Sequence, residues 1–265
     1  MVKKLFKHEM HALWRSMIPI WCLLGGASVL GRFIQLFEQD TIVYNIISGS
    51  AGVFYVVLLV ACIVCPFIFG VTRFHRNLFT GEGYLSFTLP VTAQQHILVK
   101  LAASIIVQLV TLVAAVLSVI IVTFGDLTVE IGKAVWYLLK LSVREWDVHM
   151  PLYLVEGIVG ILVVLLTEML LFYACICIGQ LSKKNRILAA VGAYFAIYGI
   201  KQVVGTIMIL IGTAIDWEPF VIWVSEHPFT TVHLSMCGGI VLEALLGGLY
   251  FFLAHRIISR RLNLE

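Results

Sequence analysis

Three ionisable residues, Glu168, Lys201 and Glu243, stand inside long apolar runs of this 265-residue chain. A charge at bilayer depth costs at least about 2.5–3.5 kcal/mol on insertion scales, so such groups face a bundle interior and pair. A Glu168–Lys201 or Lys201–Glu243 pair would fix helix packing. Lining a polar translocation path, or relaying protons, are the other uses of the same three side chains. Arg32 and Glu156 lie nearer the ends of their runs. The run His8-Glu9-Met10-His11 is one residue short of the H-E-x-x-H zinc pattern, which needs its histidines four apart on one helix face. Cys62-x-x-Cys65 has redox or zinc spacing, but no second pair and no histidine in register accompanies it. All six cysteines fall in or beside apolar runs, where a thiol packs as a small hydrophobe. No G-x-x-x-x-G-K-[ST] phosphate cradle and no G-x-S-x-G occur, and His149, His227 and His233 map to one rim. The residues therefore predict no catalytic constellation, no metal and no cofactor on this chain, hence no enzymatic activity of its own.

The elements that must carry these residues follow from composition. Of the chain, 61% is hydrophobic and only 12% charged, with a mean hydropathy of +1.01. A soluble domain averages roughly 25% charged. This predicts an all-α, polytopic membrane protein. Six apolar runs have the roughly 20 residues that a crossing needs. They extend from about Ile18 to Phe37, Ala51 to Val71, Ile97 to Phe124, Leu152 to Leu181, Ile187 to Ile211 and Leu234 to Ala254. With no linker, repeat or low-complexity tract, residues 1–265 read as one transmembrane domain. No cleavable signal peptide is expected, since Lys3, Lys4, Lys7 and Arg15 precede the first run without a small-residue cleavage site.

Charge sets the orientation. With the N-terminus inside, thirteen of eighteen Lys and Arg lie on the cytoplasmic side: Lys3, Lys4, Lys7, Arg15, Arg73, Arg76, Lys100, Lys183, Lys184, Arg186, Arg256, Arg260 and Arg261. The positive-inside rule then places both ends in the cytoplasm. Residues 2–16 alternate basic side chains with Leu5, Phe6, Met10, Leu13 and Trp14, the pattern of an interfacial amphipathic helix against anionic lipid. On the outer side, Glu130, Lys133, Tyr137, Lys140 and Arg144 oppose Val135, Trp136, Leu138 and Leu139, predicting a second amphipathic helix. Residues 214–232, with Trp217, Pro219, Trp223 and Pro228, read as a short surface or re-entrant helix. Glycines 25, 26, 31, 192, 199, 238, 239, 247 and 248 mark expected close helix contacts, within the chain or across a dimer.

The connection between the second and third spans, Arg73 to Lys100, is the most specific stretch. Gly81-Glu82-Gly83 loosens the backbone. Tyr84, Leu85, Phe87 and Leu89 then put apolar side chains on a water-facing segment closed by Pro90, and Thr92 with Gln95 forms a capping box. An exposed apolar cluster of this kind suits protein docking. The run Glu82-Gly83-Tyr84-Leu85-Ser86-Phe87-Thr88-Leu89-Pro90-Val91-Thr92 resembles the signature of bacterial ABC-exporter permeases of the second type. In that family this connection, here residues 73–96, carries a cytoplasmic coupling helix that docks on a separate ATPase subunit.

The resemblance implies a transmembrane permease subunit in a bacterial plasma membrane. Two permease chains, identical or homologous, would enclose a path, and cytosolic ABC ATPase subunits holding ATP and Mg would drive export of a peptide, lipid-like or amphiphilic substrate. Glu82, Gly83, Tyr84, Leu85, Phe87, Leu89 and Pro90 would make the ATPase contact. Besides those subunits, the expected partners are membrane lipids, with no nucleic acid. Two alternatives stay open: an ion-coupled secondary transporter using Glu168, Lys201 and Glu243, and a non-transporting membrane sensor or scaffold.

Overall fold

A computed structural model describes residues 2–37, 41–80, 91–124, 149–182, 185–213 and 218–261, with positions 129, 130, 132–134, 136, 137 and 140 between them. Among the described residues every regular element is helical: α1 (Val2–Gln35), α2 (Ile42–Phe79), α3 (Ala93–Thr123), α4 (His149–Gly179), α5 (Arg186–Thr213), α6 (Glu218–Glu226) and α7 (Pro228–Arg261). All but the nine-residue α6 are long and apolar enough to cross a membrane, giving six spans and a multi-pass membrane protein. Positions 129–130, 132–134, 136–137 and 140 are helical where the amphipathic outer helix is expected, and α6 falls where the short helix before the last span is expected.

Two boundaries differ from expectation. The basic N-terminal segment and the first span form one continuous helix, because Pro19 removes a single ladder donor without ending it. The second span runs on to Phe79, so Arg73 and Arg76 lie inside α2 rather than in a connection. The capping box at α3 forms as expected. Thr92 is extended at φ −74° and ψ 156°, its Oγ1 accepts the Gln95 N–H, and the Gln95 side chain accepts the Thr92 N–H at 3.1 Å.

The chain divides into two compact units. The first comprises residues 1–74 and 87–145. In it α1 and α3 run parallel at a nearly constant sequence offset: Glu9 meets Lys100, Trp21 meets Thr111, and Gly31 meets Val122. From Glu9 to Gly31 this register holds over about 33 Å of helix. Helix α2 runs antiparallel to α3, with Tyr55 on Ser118 and Arg73 beside the Glu9 that also holds Lys100. Leu13, Met17, Ala103 and Val107 make the buried cluster, packed by Phe6, Met10, Trp21, Cys65 and Phe69. The α3 stripe facing inward is small and polar, with Ala103, Ser104, Thr111, Ala115 and Ser118, which lets membrane helices approach closely. Trp21 donates its indole N–H to Thr111 at 3.1 Å, and the Thr111 hydroxyl donates to the Val107 carbonyl at 2.8 Å.

The second unit comprises residues 75–86 and 146–265. Helices α4 and α7 run parallel: Tyr153 donates to the Phe229 carbonyl, Glu156 meets His233, and Thr167 donates to the Glu243 carbonyl. Helix α5 folds back antiparallel on α4, with Phe172 stacked on Tyr194 at 5.1 Å. Two glycines set these approaches. A Cβ on Gly179 would stand 2.6 Å from the Arg186 carbonyl and from Ala190, and one on Gly247 would stand 2.8 Å from the Thr167 hydroxyl. Of the glycines expected at helix contacts, only Gly31 and Gly247 have a neighbour within 4 Å of an added Cβ; the other seven face open space. Gly160 and Gly179, which do make close approaches, lie on α4 and are not among the glycines expected at helix contacts.

Candidate functional site

The most concentrated charge in the first unit is Glu9. It continues a buried stripe on α1, where Glu9, Leu13, Met17, Leu24 and Ser28 recur at helical spacing. Its carboxylate faces two cations. Oε1 accepts from Lys100 Nζ at 2.5 Å, and Oε2 accepts from Arg73 Nε at 2.6 Å. The side chains of Glu9 and Lys100 are each 4% exposed, whereas Arg73 is 26% exposed. One carboxylate thus joins the N-terminal part of α1, the last turns of α2 and the third turn of α3. A buried ion pair is sound only when hydrogen-bonded this fully, and removing one partner strands a charge. Arg73 and Lys100 bracket the connection 80–92 in sequence, so the cluster grips the helix on each side of it.

The residues expected to contact an ATPase, Glu82, Gly83, Tyr84, Leu85, Phe87, Leu89 and Pro90, lie outside the described residues. The capping box beyond them and the Arg73 and Lys100 anchors on either side are described.

The intramembrane residues of the second unit are not assembled as expected. Among the described residues, no ion pair joins Lys201 to Glu168 or to Glu243. Lys201 sits on α5, none of whose residues is fully buried within the chain. Glu168 and Glu243 lie on α4 and α7, both within electrostatic reach of the buried Tyr250. The Glu243 Oε2 is buried without a hydrogen-bond partner among the described residues.

A polar group that sequence reading left unassigned forms where α4 and α7 begin. Nδ1 of His233 lies 2.8 and 3.0 Å from the two Glu156 oxygens. Tyr153 stacks on the His233 ring at 4.2 Å between centroids. Cys237 Sγ approaches Glu156 Oε1 at 3.7 Å. These residues do not stand out in the sequence, because their helices are apolar all round and the pairing spans 77 positions. The six cysteines are free thiols.

Compared with family models, curated proteins and solved structures, the chain finds no match.

Proposed function

We propose that this chain is the membrane permease subunit of an ATP-driven exporter, coupled through residues 73–96 to separate cytosolic ATPase subunits. The observation that carries this reading is the Glu9 cluster. Residues 82–92 resemble an ABC-exporter coupling segment, and the helices entering and leaving that segment are tied by one buried carboxylate to the N-terminal helix. Closure of an ATPase pair would displace the segment. With Arg73 and Lys100 both held by Glu9, α2 and α3 cannot simply splay apart at their ends. The displacement passes into α1, a 34-residue helix of about 51 Å, and so across the bundle. Six apolar spans and a positive-inside charge pattern with cytoplasmic ends support the same reading.

The test is affinity purification from the native membrane in mild detergent. The expected result is a stoichiometric nucleotide-binding subunit that is lost when Leu85 and Leu89 are both changed to Asp. A chain that comes alone, and whose transport follows an ion gradient rather than nucleotide, would overturn the proposal in favour of an ion-coupled carrier. A chain that comes alone and moves nothing would leave a sensor or scaffold.

A further inference from the structure

The last turns of α7 carry a half-open cavity of about 260 Å³, lined by Phe252, His255, Arg256 and Ser259. These four recur at i, i+3, i+4 and i+7, so one face of the helix supplies them. Arg256 and Ser259 are both exposed, which presents a guanidinium and a hydroxyl to whatever enters. Among the described residues Arg256 makes no ion pair, and α7 carries no carboxylate after Glu243, about 20 Å back along the helix. The Ser259 hydroxyl has only a long 3.4 Å bond to the Arg256 carbonyl. The volume lies below the roughly 300 Å³ at which sites for drug-sized ligands begin, so the cavity suits a headgroup rather than a whole amphiphile.

The surface that continues this face decides the occupant. Val241, Leu245, Leu249 and Phe252 form an exposed apolar track on the same side of α7 as Arg256. From Val241 to Phe252 the track is about 16 Å long, half of the roughly 30 Å hydrocarbon core of a bilayer. The apolar run ends at Ala254, so Arg256 stands at the edge of that core, the depth of lipid phosphates. A leaflet's depth of apolar surface thus leads to a cation and a hydroxyl at the membrane boundary.

We infer that this cavity binds the headgroup of an anionic phospholipid, its phosphate on Arg256 and Ser259 and an acyl chain along the track towards Val241. A guanidinium fork matches two phosphate oxygens, and basic pockets at a membrane surface select anionic headgroups. Arg260 and Arg261 follow in the sequence, which disfavours a headgroup that carries its own cation. A free phosphate lacks the part that the apolar track holds. The inference needs neither nucleotide nor a partner subunit, so its failure would leave the proposed export function untouched.

The experiment is native mass spectrometry of the full chain in a neutral detergent, titrated with phosphatidylglycerol or with phosphatidylcholine of the same acyl chains. Phosphatidylglycerol should bind more tightly than phosphatidylcholine. Arg256→Gln should weaken its binding about tenfold or more, the scale of one lost charge-assisted hydrogen bond. Arg186→Gln, which removes an exposed arginine from the head of α5, should leave that binding unchanged. Should Arg256→Gln fail to stay monodisperse, Ser259→Leu decides, since it fills the cavity and keeps the charge. Phosphatidylglycerol binding that survives the substitution, that falls equally in Arg186→Gln, or that phosphatidylcholine matches overturns the inference. So does its displacement by inorganic phosphate, which would give the cavity to a free anion.

Discussion

Glu9 bears directly on the stability of the first unit, since it neutralises a lysine that has almost no access to water. Glu9→Gln keeps the volume and one acceptor but leaves Lys100 buried against a neutral amide. Breaking a buried pair in this way costs about 3–5 kcal/mol. The loss should appear as an earlier unfolding transition in a denaturant titration of the detergent-solubilised protein. Arg73→Gln should cost less, about 1 kcal/mol, because the guanidinium is partly solvated. Equal losses for the two would mean that Lys100 is not the buried partner. Replacing both Glu9 and Lys100 by Met removes the desolvation penalty with the charges, and should recover most of the stability lost in Glu9→Gln. Part of this was legible from residues alone. Glu9 stands four before Leu13 and eight before Met17, so it lies in register with the apolar stripe, but six nearby cations and histidines draw the eye to a solvated face. Its partners lie 64 and 91 positions away, and no local pattern reports them. The converse happened in α5, where a lone lysine in an apolar run suggested a pair that the exposed helix does not make.

At the scale of elements, length and hydropathy alone marked all six spans, because a run of twenty apolar residues has few other uses. Which glycines seat a neighbour was not legible, since a small residue looks the same whether it meets a helix or open space. The backbone geometry now ranks them. Gly179→Ala places a methyl 2.6 Å from a carbonyl oxygen of the α4–α5 hairpin, where only backbone movement gives relief. It should destabilise by about 1–3 kcal/mol, the range for overpacking. Gly247→Val should do the same by forcing Thr167 off its bond to the Glu243 carbonyl. Gly192→Ala meets nothing and replaces a poor helix former with the best one, so it should be neutral or stabilising by up to about 1 kcal/mol. Thermal unfolding followed by circular dichroism would order the three variants. A Gly192→Ala protein that melts as early as Gly179→Ala would show that α5 packs differently from the arrangement described above.

For the molecule as a whole, docking and transmission are separable parts of the proposed coupling, and two variants should divide them. Leu85→Asp puts a charge into the apolar cluster expected to meet the ATPase, where an unpaired charge in a desolvated contact is strongly unfavourable. It should remove bound ATPase and transport together while leaving the protein inserted and folded. The Glu9→Met/Lys100→Met protein leaves residues 82–92 unaltered, so it should still recruit the ATPase and permit ATP hydrolysis. What it loses is the joint that makes α1 move with the ends of α2 and α3. Transport per ATP hydrolysed should therefore fall, by about tenfold if most of the coupling passes through that joint. Proteoliposomes with an inside-facing ATPase, assayed for hydrolysis and substrate movement in one preparation, give both numbers. If the double variant hydrolyses and transports like the parent, the buried cluster serves stability alone, and the movement must reach the bundle through α2 and α3 themselves. If it loses the ATPase as completely as Leu85→Asp, the cluster shapes the docking surface instead of transmitting from it.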